Sequence, residues 1–295
     1  MARTPAWYWV EFESMKISNY SSLARVVDPR YPTNFAILAI SFLTAGALFF
    51  INFYHAEDIL GSIAAAVSIG ASVFLTWAIG REIDPEHELS AFAGLIVVIP
   101  GFWILGAPDL VFVLTLLLLL RILNRTTGIQ PKLLDLFTII AFGSFLILRG
   151  DWIFGLLCAA ALFLDSSLPE PSKQNLLFAG IMTALTIISL FVNNPLPIQP
   201  ELVSGQLFFV IGSLLLFIPL IVQTRGIEVI CDFQPEKVNP TRVQAGQLFS
   251  ISAAVIIWLL QGLNGIINLL PLWSSIIAVS LANITITLVK KSRQK

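Results

Sequence analysis

The densest set of groups able to do chemistry is Arg81-Glu82-Ile83-Asp84-Pro85-Glu86-His87-Glu88. Its four carboxylates and histidine could ligate a divalent cation or grip a headgroup phosphate. The same residues are also explained with no ligand. Asp84 would then cap the next helix, Pro85 would open it, and Glu86 would sit beside its positive end. The spacing matches neither the zinc signatures nor the calcium-loop pattern. His55 falls at the far side of the expected membrane, so the two histidines are not expected to share a site.

A second polar stretch runs from Arg121 to Gly128 and leads through Pro131 to Asp135. Arg121 and Arg125 are spaced to share one helix face. Such a pair suits an anionic headgroup, and it serves equally as cationic anchoring at a membrane surface. Asp165 ends an apolar run beside Ser166 and Ser167. For an enzyme, the candidate catalytic groups are Asp84, Glu86, His87 and Asp165. The candidate substrate-binding groups are Arg121, Arg125, Asn264 and Asn268, and Pro100 and Pro219 are candidate hinges. No cofactor or resident metal is predicted, and Mg²⁺ enters only with the enzyme reading. Arg149-Gly150-Asp151 reads as a tight turn, and Asn283-Ile284-Thr285 lies inside an apolar span where a glycosylation acceptor has no use. No GxGxxG, phosphate loop, HExxH or nucleophile elbow is present.

The elements that must position these groups follow from composition. Of 295 residues, 57% are hydrophobic and 12% charged, with a mean hydropathy of +0.86. Soluble domains carry about 25% charged residues, so lipid is the expected surroundings. The net charge of -1 gives no hint of nucleic-acid binding, the few basic residues form no patch suited to it, and no nucleic-acid partner is expected. Cys158 and Cys231 fall in unlike surroundings and are expected to be free thiols. No signal peptide is visible, so the first span is expected to direct its own insertion.

A helix needs about 20 mostly apolar residues to cross the hydrocarbon. Ten such runs are predicted: 34–54, 59–79, 89–105, 110–123, 133–148, 152–164, 176–192, 205–222, 248–263 and 266–288. Pro85, Pro108, Pro131, Pro200 and Pro240 each precede a run and are expected in a first helical turn. With the N-terminus inside, all but one of the 17 basic residues fall on the cytoplasmic side, Arg149 being the exception. The predicted architecture is therefore all-α and polytopic, with both termini cytoplasmic in a plasma or inner membrane. Charge alternation is blind to pairs, so eight crossings would follow if residues 133–164 formed a re-entrant hairpin. Residues 1–33 are read as a cytoplasmic segment whose Trp7, Tyr8, Trp9, Val10 and Phe12 lie in the headgroup layer. Residues 34–289 form the membrane domain, and 290–295 a basic tail.

No ionised group falls in the middle of any span. A charge there costs roughly 2.5–3.5 kcal/mol and is retained for proton or ion coupling, so a pump built on a midplane carboxylate is disfavoured. What remains is uncharged: Ser68, Ser72 and Thr76 on one helix face, Thr183, Thr186 and Ser189, and Gln261, Asn264, Asn268, Asn283 and Thr285. Hydrogen bonding between helices is their commoner use, and lining a pathway for a neutral or amphipathic solute is the other. Ten helices divide five and five, which would invert the second half. A Pro-Glu start (Pro85-Glu86, Pro200-Glu201) and an interior proline (Pro100, Pro219) echo between halves. The layout resembles that of the drug/metabolite transporters in helix count, termini and length, without their sequence motifs. The leading reading is a transporter for a small neutral or amphipathic solute. The alternatives are an enzyme acting on a lipid headgroup at the cytoplasmic face and a structural membrane subunit.

Overall fold

A computed structural model describes residues 19–25, 27–56, 58–193 and 203–293. The aromatic run at residues 7–12 and the Pro200-Glu201 pair lie outside the described residues. The described residues form eleven α-helices: α1 (Pro32–Ala56), α2 (Ile59–Ile83), α3 (Ser90–Leu105), α4 (Leu110–Asn124), α5 (Leu133–Leu148), α6 (Ile153–Ser167), α7 (Gln174–Asn193), α8 (Ser204–Gln223), α9 (Pro240–Gln261), α10 (Leu263–Asn268) and α11 (Leu270–Arg293). No strand occurs among the described residues beyond an isolated bridge between Ile230 and Lys237.

Side chains that satisfy the exposed backbone N–H groups set several helix starts. Asp58 accepts from Leu60 N at 3.1 Å, Asp109 from Val111 N and Phe112 N at 2.9 and 3.1 Å, and Asn239 from Thr241 N at 3.0 Å. Of the prolines expected to open helices, Pro240 does so. Pro85, Pro108 and Pro131 instead lie in the connections ahead of Ser90, Leu110 and Leu133. Asp84 is likewise not an N-cap. It closes α2, its N–H bonding to the Gly80 carbonyl, and its carboxylate is occupied by His87 and Ser90 rather than by a helix start.

The last expected span is broken. A continuous helix through 266–288 would drive the Pro271 ring into the carbonyl four residues earlier. The chain therefore stops at Asn268, passes through Leu269, and restarts with Pro271 in the first turn of α11, where the missing N–H has no partner to lose.

Among the described residues six helices, α1, α2, α7, α8, α9 and α11, are long and apolar enough to cross a membrane. The four in the middle, α3 to α6, have 16, 15, 16 and 15 residues, or roughly 22–24 Å at 1.5 Å per residue. Outward faces are apolar, with Phe42, Leu148 and Phe191 exposed at 75%, 84% and 84%. Such a surface calls for a lipid or protein cover.

Every long helix runs between the same two ends of the bundle. At one end the 107–109 and 149–151 turns meet, Arg149 bonding Asp109 at 2.5 Å. At the other gather Ser21, Arg25, Glu82, Arg121, Arg125, Asp135, Asp165 and Arg242. This second end is the polar end.

Between the ends, small residues let backbones meet. A Cβ on Gly94 would lie 2.6 Å from Thr76 Cγ2, and Ser275 Oγ donates to the Thr76 carbonyl at 2.8 Å, locking α2, α3 and α11. Ser72 and Thr76 are fully buried and bond backward to Ser68 and Ser72 carbonyls. Thr186 bonds the Met182 carbonyl and packs on Gly155. These hydroxyls serve packing.

Candidate functional site

The polar end is built from carboxylates whose hydrogen-bonding capacity is filled by other elements. Asp165, fully buried at the end of α6, accepts from Arg125 Nε and Nη2 at 3.0 and 2.6 Å, from Arg242 Nη1 at 2.7 Å, and from Asn175 Nδ2 at 2.6 Å. Arg125 reaches it because the residue leaves α4 in the left-handed conformation (φ 48°). The expected sharing of one helix face with Arg121 is thereby lost. The surplus guanidinium N–H groups donate to the carbonyls of Leu123, Pro169 and Glu170. With both oxygens doubly bonded and no exposure, Asp165 ties α4, α6, α7 and α9 together and has no lone pair to offer a substrate.

Glu82, 1% exposed, sits at the end of α2. It pairs with Arg25 Nη2 at 3.0 Å and Arg121 Nε at 3.1 Å, and accepts from Thr126 at 3.2 Å. Asn124 donates to the Glu82 carbonyl at 2.7 Å, and Gln247 to that of Ile83 at 2.8 Å. Gly246 lies directly against Asn124, leaving no room for a side chain. Asp135 accepts from Ser21 Oγ (2.5 Å), Ser22 N and Oγ (2.8 Å each) and Lys132 N (2.9 Å), which docks residues 19–25 onto α5.

Asp84 and His87 form a separate pair. His87 Nδ1 lies 3.1 Å from Asp84 Oδ2, and Ser90 Oγ donates to the same oxygen. Glu86 is exposed. The predicted catalytic residues thus resolve into two clusters, Asp84 with His87 and Asp165 with Arg125, that share an end of the bundle and not a site. Asn264 and Asn268 lie in α10 at the opposite end. Asn264 is exposed and Asn268 donates to Gln261 at 3.1 Å, so neither joins the arginines. Pro100 faces outward from α3, and Pro219 is half-buried in α8. Among the described residues no three His, Cys, Asp or Glu side chains converge as metal ligands.

Beside Glu82 the polar end opens into a cavity of about 290 Å³. Its charged lining is Arg25, Asp28, Arg81, Glu82, Arg121 and Asp232, and Trp77, Phe74, Tyr31 and Asn34 are among its other wall residues. Arg25 also bridges to Asp232 at 3.0 Å, a residue of the α8–α9 loop held in place by its N–H to the Thr126 carbonyl at 3.0 Å. Desolvation raises the Asp232 carboxyl above its ordinary range, with Arg25 opposing. On the rim, the backbone N–H and guanidinium of Arg30 hold Asp28 below it. Sequence reasoning picked Arg81, Glu82 and Arg121 from this wall and missed Arg25, Trp77 and Asp232. No spacing rule links residues so far apart in the chain. An isolated acid or arginine in a polar loop reads as surface.

The cavity adjoins an exposed apolar groove. Phe74 lines it and also lines an apolar groove of about 560 Å³ between α1 and α2, with Leu38, Phe42, Ala45, Val67 and Ala71. Asn34 of the cavity and Leu38 of the groove are one helical turn apart on α1, so polar pocket and apolar groove lie side by side along an α1–α2 seam, with Phe74 in the wall of both. Comparison with known proteins finds no matching family model, curated relative or solved structure.

Proposed function

We propose that this is a ten-crossing membrane protein that binds and moves an amphipathic solute, admitting it at the polar end through the α1–α2 seam. The carrying observation is the adjacency of cavity and groove, which share Phe74 as a wall. A head needs a small polar chamber, a tail needs an apolar slot open to the bilayer, and here they adjoin. In this reading the polar end is cytoplasmic, as the distribution of Lys and Arg requires, in a plasma or inner membrane with both termini inside. The short helices α3 to α6 cross by local thinning of the bilayer or by burial among longer neighbours. Pro100 and Pro219 act as hinges, each freeing a backbone carbonyl one turn earlier. The tight α1–α2 and α6–α7 hairpins stand at equivalent places in a five-plus-five division, whereas α3 packs on α2 and α11 and α8 on α9 and α11.

Proteoliposomes carrying a fluorescent short-chain amphiphile test this by quencher access from outside. Protein-dependent movement between leaflets is expected, reduced by Val67→Trp, which fills an exposed stretch of groove. No movement above protein-free vesicles refutes it. The headgroup-enzyme reading retains one observation: Asp84, 4% exposed, orients the ring of half-buried His87 through Nδ1. His87→Ala separates the two, since it abolishes catalysis in that reading and spares transport in the first.

A further inference from the structure

Resting on that reading, we infer that the cavity takes the phosphate head of an anionic lipid, with Asp232 holding the head's place on Arg25 and the α1–α2 groove taking the acyl chain. Three independent features lead there.

The first is the hydrogen-bond inventory of the wall. Arg25 Nε and the Trp77 indole N–H are buried without an acceptor. No side-chain acceptor of the described wall residues is buried without a donor. The open valence is donor only, so the missing partner brings acceptor oxygens. Because one donor is a guanidinium, an anionic oxygen is preferred over a neutral one.

The second is charge. Asp28 is paired with Arg30 and Arg81 with Glu88. Arg25 and Arg121 share Glu82, which is 1% exposed and held by both, and Arg25 turns its other nitrogen to Asp232, which is 42% exposed. Asp232 is therefore the replaceable anion. Once its carboxylate rotates away while the backbone stays tied to Thr126, two guanidiniums face one carboxylate, and the surplus positive charge matches a single phosphodiester charge. The third is the seam, which places an apolar slot directly beside the head.

The whole chain in neutral detergent, titrated calorimetrically, tests the assignment with three probes: dihexanoyl phosphatidylglycerol, dihexanoyl glycerol and glycerol phosphate. The charged lipid is expected to bind about tenfold or more tighter than the uncharged one, as a charge-assisted hydrogen bond implies. Asp232→Asn should tighten the charged lipid several-fold, a gain that a misfolded variant does not mimic. Val67→Trp should weaken the lipid and leave glycerol phosphate unchanged. The proposal is overturned if Asp232→Asn leaves affinity unchanged or weakens it, or if dihexanoyl glycerol binds as well as the charged lipid. It is equally overturned if glycerol phosphate binds as tightly as the lipid and Val67→Trp has no effect, which assigns the cavity to a soluble phosphate ester. Continued leaflet-to-leaflet movement of uncharged amphiphiles without anionic preference would sink this inference and spare the transport reading. Selective lipid binding without movement would do the reverse.

Discussion

At the residue scale, the polar end is governed by the cost of leaving a buried charge alone. Asp165 answers two arginines, and each of its oxygens receives two donors. Replacing it with Asn strands two guanidiniums among apolar helices, and breaking a buried pair in this way costs about 3–5 kcal/mol. Asp165→Asn is therefore expected to lower the thermal midpoint in detergent sharply. Asn175→Ala removes one neutral donor and should cost only about 1 kcal/mol. Similar losses in the two variants would show that the ion triad is not what holds these helices. Asp232 makes a pH prediction. Burial raises its folded carboxyl above the ordinary 3.8, so the folded state keeps a proton that the unfolded chain has released. Its contribution to stability therefore declines as pH rises from that ordinary value through the raised one. Wild type and Asp232→Asn should diverge in the variant's favour across that window, and parallel midpoint curves would contradict the shift. Sequence reading found Asp165 and Arg125 as notable residues and assigned them to chemistry. The second arginine on Asp165, Arg242, lies in another helix, and nothing in local spacing announces it.

At the element scale, helix positions follow short-range rules, and helix contacts follow from where side chains are absent. Caps at Asp58, Asp109 and Asn239 are readable locally because each serves N–H groups two or three residues ahead. The break at Leu269 is equally local in cause, since Pro271 forbids a continuous helix. Asp84 misled because a carboxylate before Pro can either open one helix or close another. Only its contacts with His87 and Ser90 decide. Gly246 shows the contact rule. A side chain there collides with Asn124, whose amide holds the Glu82 carbonyl, so Gly246→Ala should destabilise by about 1–3 kcal/mol. Gly180, with nothing within 4 Å of a built Cβ, is the control, and Gly180→Ala should be tolerated. Equal melting of the two variants would mean that α4 and α9 do not meet as described.

At the scale of the whole molecule, the two ends differ in kind, and that difference sets the expected sidedness. In a background of Cys158→Ala and Cys231→Ser, cysteines at Ala107 and Leu148 should label from one side of sealed vesicles. Cysteines at Lys173 and Lys237 should label only from the other. A Leu148 cysteine that fails to label with Ala107 would return the 133–164 pair to a re-entrant hairpin. Helical architecture and the presence of several long apolar helices were legible from residues alone, because hydrophobic runs, caps and prolines act within a few residues of themselves. The tertiary structure alone decided which charges are bound up and which are available. It turned Arg125 toward Asp165, sent Asn264 and Asn268 to the opposite end, and brought Arg25, Trp77 and Asp232 to one wall. Those outcomes depend on electrostatic pairing between segments distant in the chain, and such pairing is fixed by how helices pack rather than by any pattern along the sequence.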